Sequence, residues 1–187
     1  MSTLKVNSII PVSGVPTGGG GGIIQIKQAV KTDTTSTTSS TQADISGLTP
    51  TITPTSSSSK VLIMMDIKIG ASSNGSDIGL VLNRTIGGSS TEIYIGDSDG
   101  SRRRACYASE DLFGTNGDHQ IQPIQACFLD SPSTTSEITY SIKWNINGSD
   151  VIYVNRDGDD GNDGNSPRLA SSLTLMEVSA WLLPCII

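Results

Sequence analysis

In the segment KVLIMMDIKIGA (residues 60–71), Val61, Ile63, Met65, Ile67 and Ile69 recur at every second position. Lys60, Asp66 and Lys68 take the alternate positions, with Leu62 and Met64 between them. A period of two places the first set on one face of a β-strand; a helix would scatter the charges into its apolar stripe. Working outward, DIGLVLNRT (77–85) repeats the alternation with Ile78, Leu80 and Leu82 inward. EITYSIKWNING (137–148) sets Ile138, Tyr140, Ile142, Trp144 and Ile146 against Thr139, Ser141, Lys143 and Asn145. Turn chemistry at Asn147-Gly148 predicts a hairpin into DVIYVN (150–155). IIQIKQAV (23–30) alternates with Ile24, Ile26 and Gln28 on one face, and SSLTLMEV (171–178) reads as the last strand of the domain. The tract TDTTSTTSSTQ (32–42) fits a linker or an edge strand with a turn equally well. No segment has a helical period with caps. Roughly eight to ten strands separated by turn signals predict an all-β protein. The expected architecture is a jelly-roll-like β-sandwich, each apolar face buried against a second sheet.

The 187 residues suit one domain plus an arm. Apolar content of 35% with 4% aromatics, the remainder rich in Ser, Thr and Gly, fits a β-rich chain with many turns. A net charge of −6 weighs against a nucleic-acid backbone as partner. Cys106, Cys127 and Cys185 match no zinc or redox spacing and are expected to be free thiols packed as small hydrophobes. MSTLKVNSII at the start lacks the charged and continuously apolar regions of a signal peptide, and no apolar run is long enough for a membrane span. Synthesis in a cytoplasm without membrane insertion is therefore expected. Residues 1–22 read as an arm in which Leu4, Val6, Ile9 and Ile10 form a short apolar docking stretch, stopped by Pro11 and Pro16. Gly18 to Gly22 then act as a linker into the sandwich of residues 23–180. Residues 181–187 form an apolar tail: Trp181, Leu182, Leu183, Ile186 and Ile187 would invite aggregation if free and are expected to be buried against this domain or a neighbouring subunit.

Four phrases follow in order: ISGLTPTITPTSSSSKVLI (45–63), IYIGDSDGSRRRAC (93–106), FLDSPSTTSEITYSIKW (128–144) and YVNRDGDDGNDGNSPRLASSLTLMEV (153–178). Together they resemble a β-rich module of virion proteins from tailed bacteriophages, marine ones above all, often found in tail-fibre-like proteins. MSTLKVNSI is similar to the start of cyanophage-type structural proteins. The resemblance implies a virion component, a trimer, made in the cytoplasm of a bacterial host, with no catalytic residues to carry over.

Two polar segments are candidate sites. NRDGDDGNDGNSPR (155–168) offers Asp157, Asp159, Asp160 and Asp163 as oxygen ligands for a structural calcium ion. Its spacing departs from the helix–loop–helix calcium pattern, with Gly161 at position five and no closing Glu. A solvated turn without metal is the favoured reading, and no cofactor is expected. GDSDGSRRRA (96–105) presents Arg102, Arg103 and Arg104, whose guanidinium forks suit an anionic host-surface glycan. The plainer reading is a strand whose alternate arginines pair with Asp97 and Asp99. His119, the one histidine, stands in a Gly/Asn loop with no nucleophile elbow, and no phrase marks a carboxylate pair flanking a cleft. The sequence therefore predicts a non-enzymatic virion-surface protein that binds virion proteins and copies of itself. A fibre or adhesin comes first, a capsid decoration protein second, and a polysaccharide-degrading enzyme a distant third.

Overall fold

Along Lys60–Ala71 every second side chain is buried, from Val61 to Ile69, as a period of two requires. The structure, a computed structural model, describes residues 22–73, 77–109, 113, 117–147 and 150–179. Twelve strand segments are present among them: β1 (Ile23–Lys31), β2 (Thr35–Thr37), β3 (Ala43–Asp44), β4 (Thr51–Ile52), β5 (Lys60–Ala71), β6 (Asp77–Ile86), β7 (Ser89–Ile93), β8 (Tyr107–Ser109), β9 (Ile121–Asp130), β10 (Ile138–Asn147), β11 (Ile152–Val154) and β12 (Ser171–Val178). One 3-10 turn, Gly117–His119, is the only helical element described.

Register shows that several short segments are halves of one strand. β11 and β12 both run antiparallel to β5, β11 opposite Ile69–Ala71 and β12 opposite Lys60–Asp66, so they make one rank beside it. β1 on β12 and β2 on β11 make the next rank, and β9 flanks the other side of β5. In the second sheet β3 and β4 share one side of β10, β6 takes the other, and β7 and β8 share the far side of β6. Numbered along the chain, the eight ranks lie in the orders 1-8-3-6 and 2-7-4-5. That is the double Greek key of a jelly roll, and both sheets are antiparallel throughout. Between them lies a core of Ile, Leu and Val with Phe113, Tyr140 and Trp144, fed from both inner faces.

Two sequence expectations are corrected. β10 and β11 do not pair as the expected hairpin: β10 runs beside β6 along its whole length and beside β3 and β4 on its other side. With no free edge there, the chain crosses to the first sheet, where Ile152 and Val154 are fully buried. In β1 a bulge between Ile23 and Gln25 shifts the register by one, and a shift of one exchanges the two faces. Gln25, Ala29 and Lys31 therefore share the inward phase of Glu177, Leu173 and Ser171, while Ile26 and Val30 point out. Cys127 is exposed rather than packed, whereas Cys106 is half-buried. The Ser/Thr tract resolves into the edge segment β2 and a turn in which Ser39 and Thr41 bond each other.

Candidate functional site

Both polar segments flagged in the sequence are excursions from interrupted ranks. Ile93 of β7 faces Leu82 and Tyr107 of β8 faces Leu80, so residues 94–106 loop out opposite Val81. The excursion begins at Tyr94, in the left-handed region at φ 54°. It is irregular rather than a strand, so its arginines do not alternate between two faces. Arg102 donates to Asp99 Oδ2 at 2.6 Å, the expected kind of partner, while Arg104 Nε donates to the Gly96 carbonyl at 2.7 Å. Arg103 lies across β6 at Gly79, where a Cβ would come within 2.8 Å of its Cδ and Nη1. The three guanidinium groups thus have three separate surroundings. Beside them Glu92, Ile93, Tyr94, Arg104, Cys106 and Phe128 line an open groove. Tyr94 stacks on Phe128 of β9 with ring centroids 4.9 Å apart, closing the seam between the two sheets along this edge. The Cys106 thiol bonds the Leu80 carbonyl, and burial pushes it up from the usual thiol range.

The acidic excursion interrupts the rank of β11 and β12. Asn155 ends the first half at φ 67°, a conformation its side chain tolerates better than most. Its amide donates to the carbonyls of Lys31 and Asp33 at 2.8 and 2.9 Å, bracing the kink between β1 and β2. Its Oδ1 accepts from the Ser171 hydroxyl at 2.6 Å, and its own carbonyl accepts from Leu169 N. One buried asparagine therefore holds both ends of the loop. Within it, Asp157 Oδ1 accepts from Asp160 N at 2.9 Å, and Asp157 is wholly buried rather than solvated. Asp160 pairs with Arg156 and Arg168, and Asp163 accepts from Asn165 N at 2.7 Å. Asp159 Oδ2 stands 3.8 Å from His119 Nδ1, with Asp118 Oδ2 3.9 Å from Nε2. The four carboxylates are thus divided among four sets of partners, and among the described residues no three metal-binding side chains converge. The loop presses on the outer face of the first sheet: a Cβ on Gly70 would lie 2.1 Å from the Arg156 carbonyl, and one on Gly158 2.1 Å from that of Ala71.

Sequence reasoning missed two polar plugs at one end of the core. Asp130 accepts both contacts from Arg84 Nη1 at 2.9 Å, the Tyr140 hydroxyl at 2.7 Å and Ser131 N at 2.8 Å, joining the two sheets. Burial, and then the bond it donates to Asp130, push the Tyr140 hydroxyl well up. Glu177 accepts from Gln25 at 2.6 Å and from the backbone and hydroxyl of Thr55, both at 2.7 Å. The signal was present: Arg84, Asp130 and Glu177 each occupy the inward phase of a strand, where an apolar residue is expected.

The assembly candidates Leu4, Val6, Ile9, Ile10, Trp181, Leu182, Leu183, Ile186 and Ile187 lie outside the described residues. Where the description begins and ends, Gly22 and Ser179 bond each other twice, Gly22 N to Ser179 Oγ and Ser179 N to the Gly22 carbonyl. The first and last of the described residues therefore lie side by side.

No family model matches the chain, and no curated protein matches it. Among solved structures it is similar to infectious bursal disease virus, Gx strain, at 12% identity and a TM-score of 0.39. It is likewise similar to the VP2 subviral particle of infectious bursal disease virus at 13% identity and a TM-score of 0.37. Each match covers 90% of this chain and 44% of the other, so the chain spans under half the length of either structure.

Proposed function

We propose that the protein is a non-enzymatic structural component of a tailed-bacteriophage virion. It is a sandwich displayed on the particle, anchored by residues 1–22 and contacting the host surface as a fibre or adhesin. The observation that carries this reading is that Gly22 and Ser179 lie paired at one end of the sandwich, where an anchor at residues 1–22 would hold it by that end. The resemblance of the four ordered phrases to phage virion modules supports it. So does the use of Arg84, Asp130, Glu177 and Asp160 in pairs that hold the fold. An anionic host glycan would meet Arg102, Arg103 and Arg104 on the exposed excursion. A capsid decoration protein would use the same tether, and the two roles differ in copy number. Quantitative mass spectrometry of purified virions tests both. The expected result is a small number of copies per particle for the full chain and none for a chain beginning at Ile23. Very many copies would make it a decoration protein. Absence of the full chain from virions, or undiminished incorporation of the truncated one, would overturn the anchored-virion reading.

A further inference from the structure

The outer face of the first sheet carries an apolar band at the end where the chain enters and leaves. Register aligns Ile26, Met176, Leu62 and Leu129 as one unbroken cross-strand row over all four ranks. Met64 and Cys127 are paired in the row beside it, and Ile23 and Val178 lie beyond it at the sheet's end. Ile23, Ile26, Met64 and Leu129 are each about half exposed (56%, 55%, 45% and 51%). Toward the other end the face turns polar, with Asp66, Lys68 and Gln125 bonded together, and then passes under the acidic excursion at Gly70. The unbroken apolar row therefore lies close to Ser179, with Lys60 beside Val178, Gln28 and Thr174 in the row of Met64, and Val30 exposed toward the polar end.

We propose that residues 180–187, AWLLPCII, fold back from Ser179 and cover this band on their own sheet. The segment's Trp, Leu and Ile side chains match an apolar strip that spans three strand spacings, about 14 Å across. Reach is sufficient. Cys127 lies roughly four residues down and two strands across from Val178, about 17 Å away, while the seven residues from Val178 to Cys185 extend about 23 Å. The arm of residues 1–21 is a poorer occupant, because the Gly18–Gly22 run separates its apolar residues from the sheet and docking would have to order it. Attachment one residue beyond β12 gives the segment a high effective concentration over its own face, which favours it over a second copy.

The test uses the full chain and the thiols of Cys127 and Cys185. Mild oxidation with oxidised glutathione is expected to give an intramolecular Cys127–Cys185 disulfide, identified by peptide mass. Leu62→Glu with Leu129→Glu places two carboxylates under the segment without touching the core, and should cut the yield about tenfold or more. Met64→Lys, also outward-facing, is a second variant with the same expected direction, and a cooperative melt confirms that either variant is folded. A yield unchanged in both variants would mean that tethering alone brings the thiols together, and overturns the proposal. Chain-to-chain Cys127–Cys185 bonds would assign the face to a second copy, and no bond at all would leave it to another occupant; both overturn it. So would protection of Cys127 from maleimide that is lost on removing residues 1–21 but kept on removing 180–187.

Discussion

At Gly70 the absence of a Cβ decides whether the acidic excursion can lie on its sheet, since that atom would stand 2.1 Å from the Arg156 carbonyl. Gly70→Ala must lift the loop or bend β5, and overpacking of this kind costs about 2–3 kcal/mol. The melting temperature should fall by roughly 4–12 °C at about 2–4 °C per kcal/mol. An unchanged midpoint in differential scanning calorimetry would show that the contact is not tight. Glu177 is the other residue whose role is specific. Burial alone would push its carboxyl up, but bonds from Gln25 and Thr55 outweigh it, and the group titrates below the ordinary glutamate range. Its folded pKa is depressed, so its contribution to stability is full above the unfolded value and is lost as pH falls through the folded one. Glu177→Gln turns an amide NH2 or a single carbonyl toward these donors and should cost about 1–3 kcal/mol at pH 7. Urea melts at neutral and acid pH should show that gap narrowing below about pH 4.5, the ordinary glutamate range. A gap constant with pH would remove the carboxylate from the explanation.

At the scale of elements, β5, β6 and β10 were legible because alternation is a local property, whereas β9, equally long but weakly alternating, was not read as a strand. Every inward position named for β10, from Ile138 to Ile146, is buried, and so are those of β5 and β6. The acidic excursion was legible as a polar loop but not as an interruption of a rank, and residues 96–105 were read as a strand. That Val154 and Ser172 continue along the same neighbour is written in their pairing to Ile69 and Asp66, far away in sequence. The same pairing explains why the acidic segment is tied down by Asn155 and why Asp157 is buried. For calcium the geometry favours a loop held by its own hydrogen bonds, since six to eight oxygens must converge and the carboxylates face separate partners. Melting in excess chelator and in millimolar calcium should therefore give equal midpoints. An ion held at a hundredfold over its Kd would add about 2.7 kcal/mol. A rise of that size, abolished by Asp159→Ala with Asp163→Ala, would establish a structural calcium site.

For the whole molecule, the expected assembly is a homotrimer, and light scattering at micromolar concentration should give three times the 19.5 kDa chain mass. A monomer at that concentration would overturn the trimer. The sequence by itself determined that the chain is all-β, which residues line the core in β5, β6 and β10, and that the acidic segment is a polar loop. Those properties depend on neighbours two residues apart, and the hydrophobic effect enforces them wherever a strand packs on one side. Only the tertiary structure decided that β11 leaves β10 for the other sheet and that a bulge turns Ile26 outward. It also decided that Arg84, Asp130 and Tyr140 meet from three strands. Strand pairing and bulges are settled by which edges remain free and which faces remain dry once the whole chain is in place, and a buried charge is tolerated only where distant partners arrive to satisfy it.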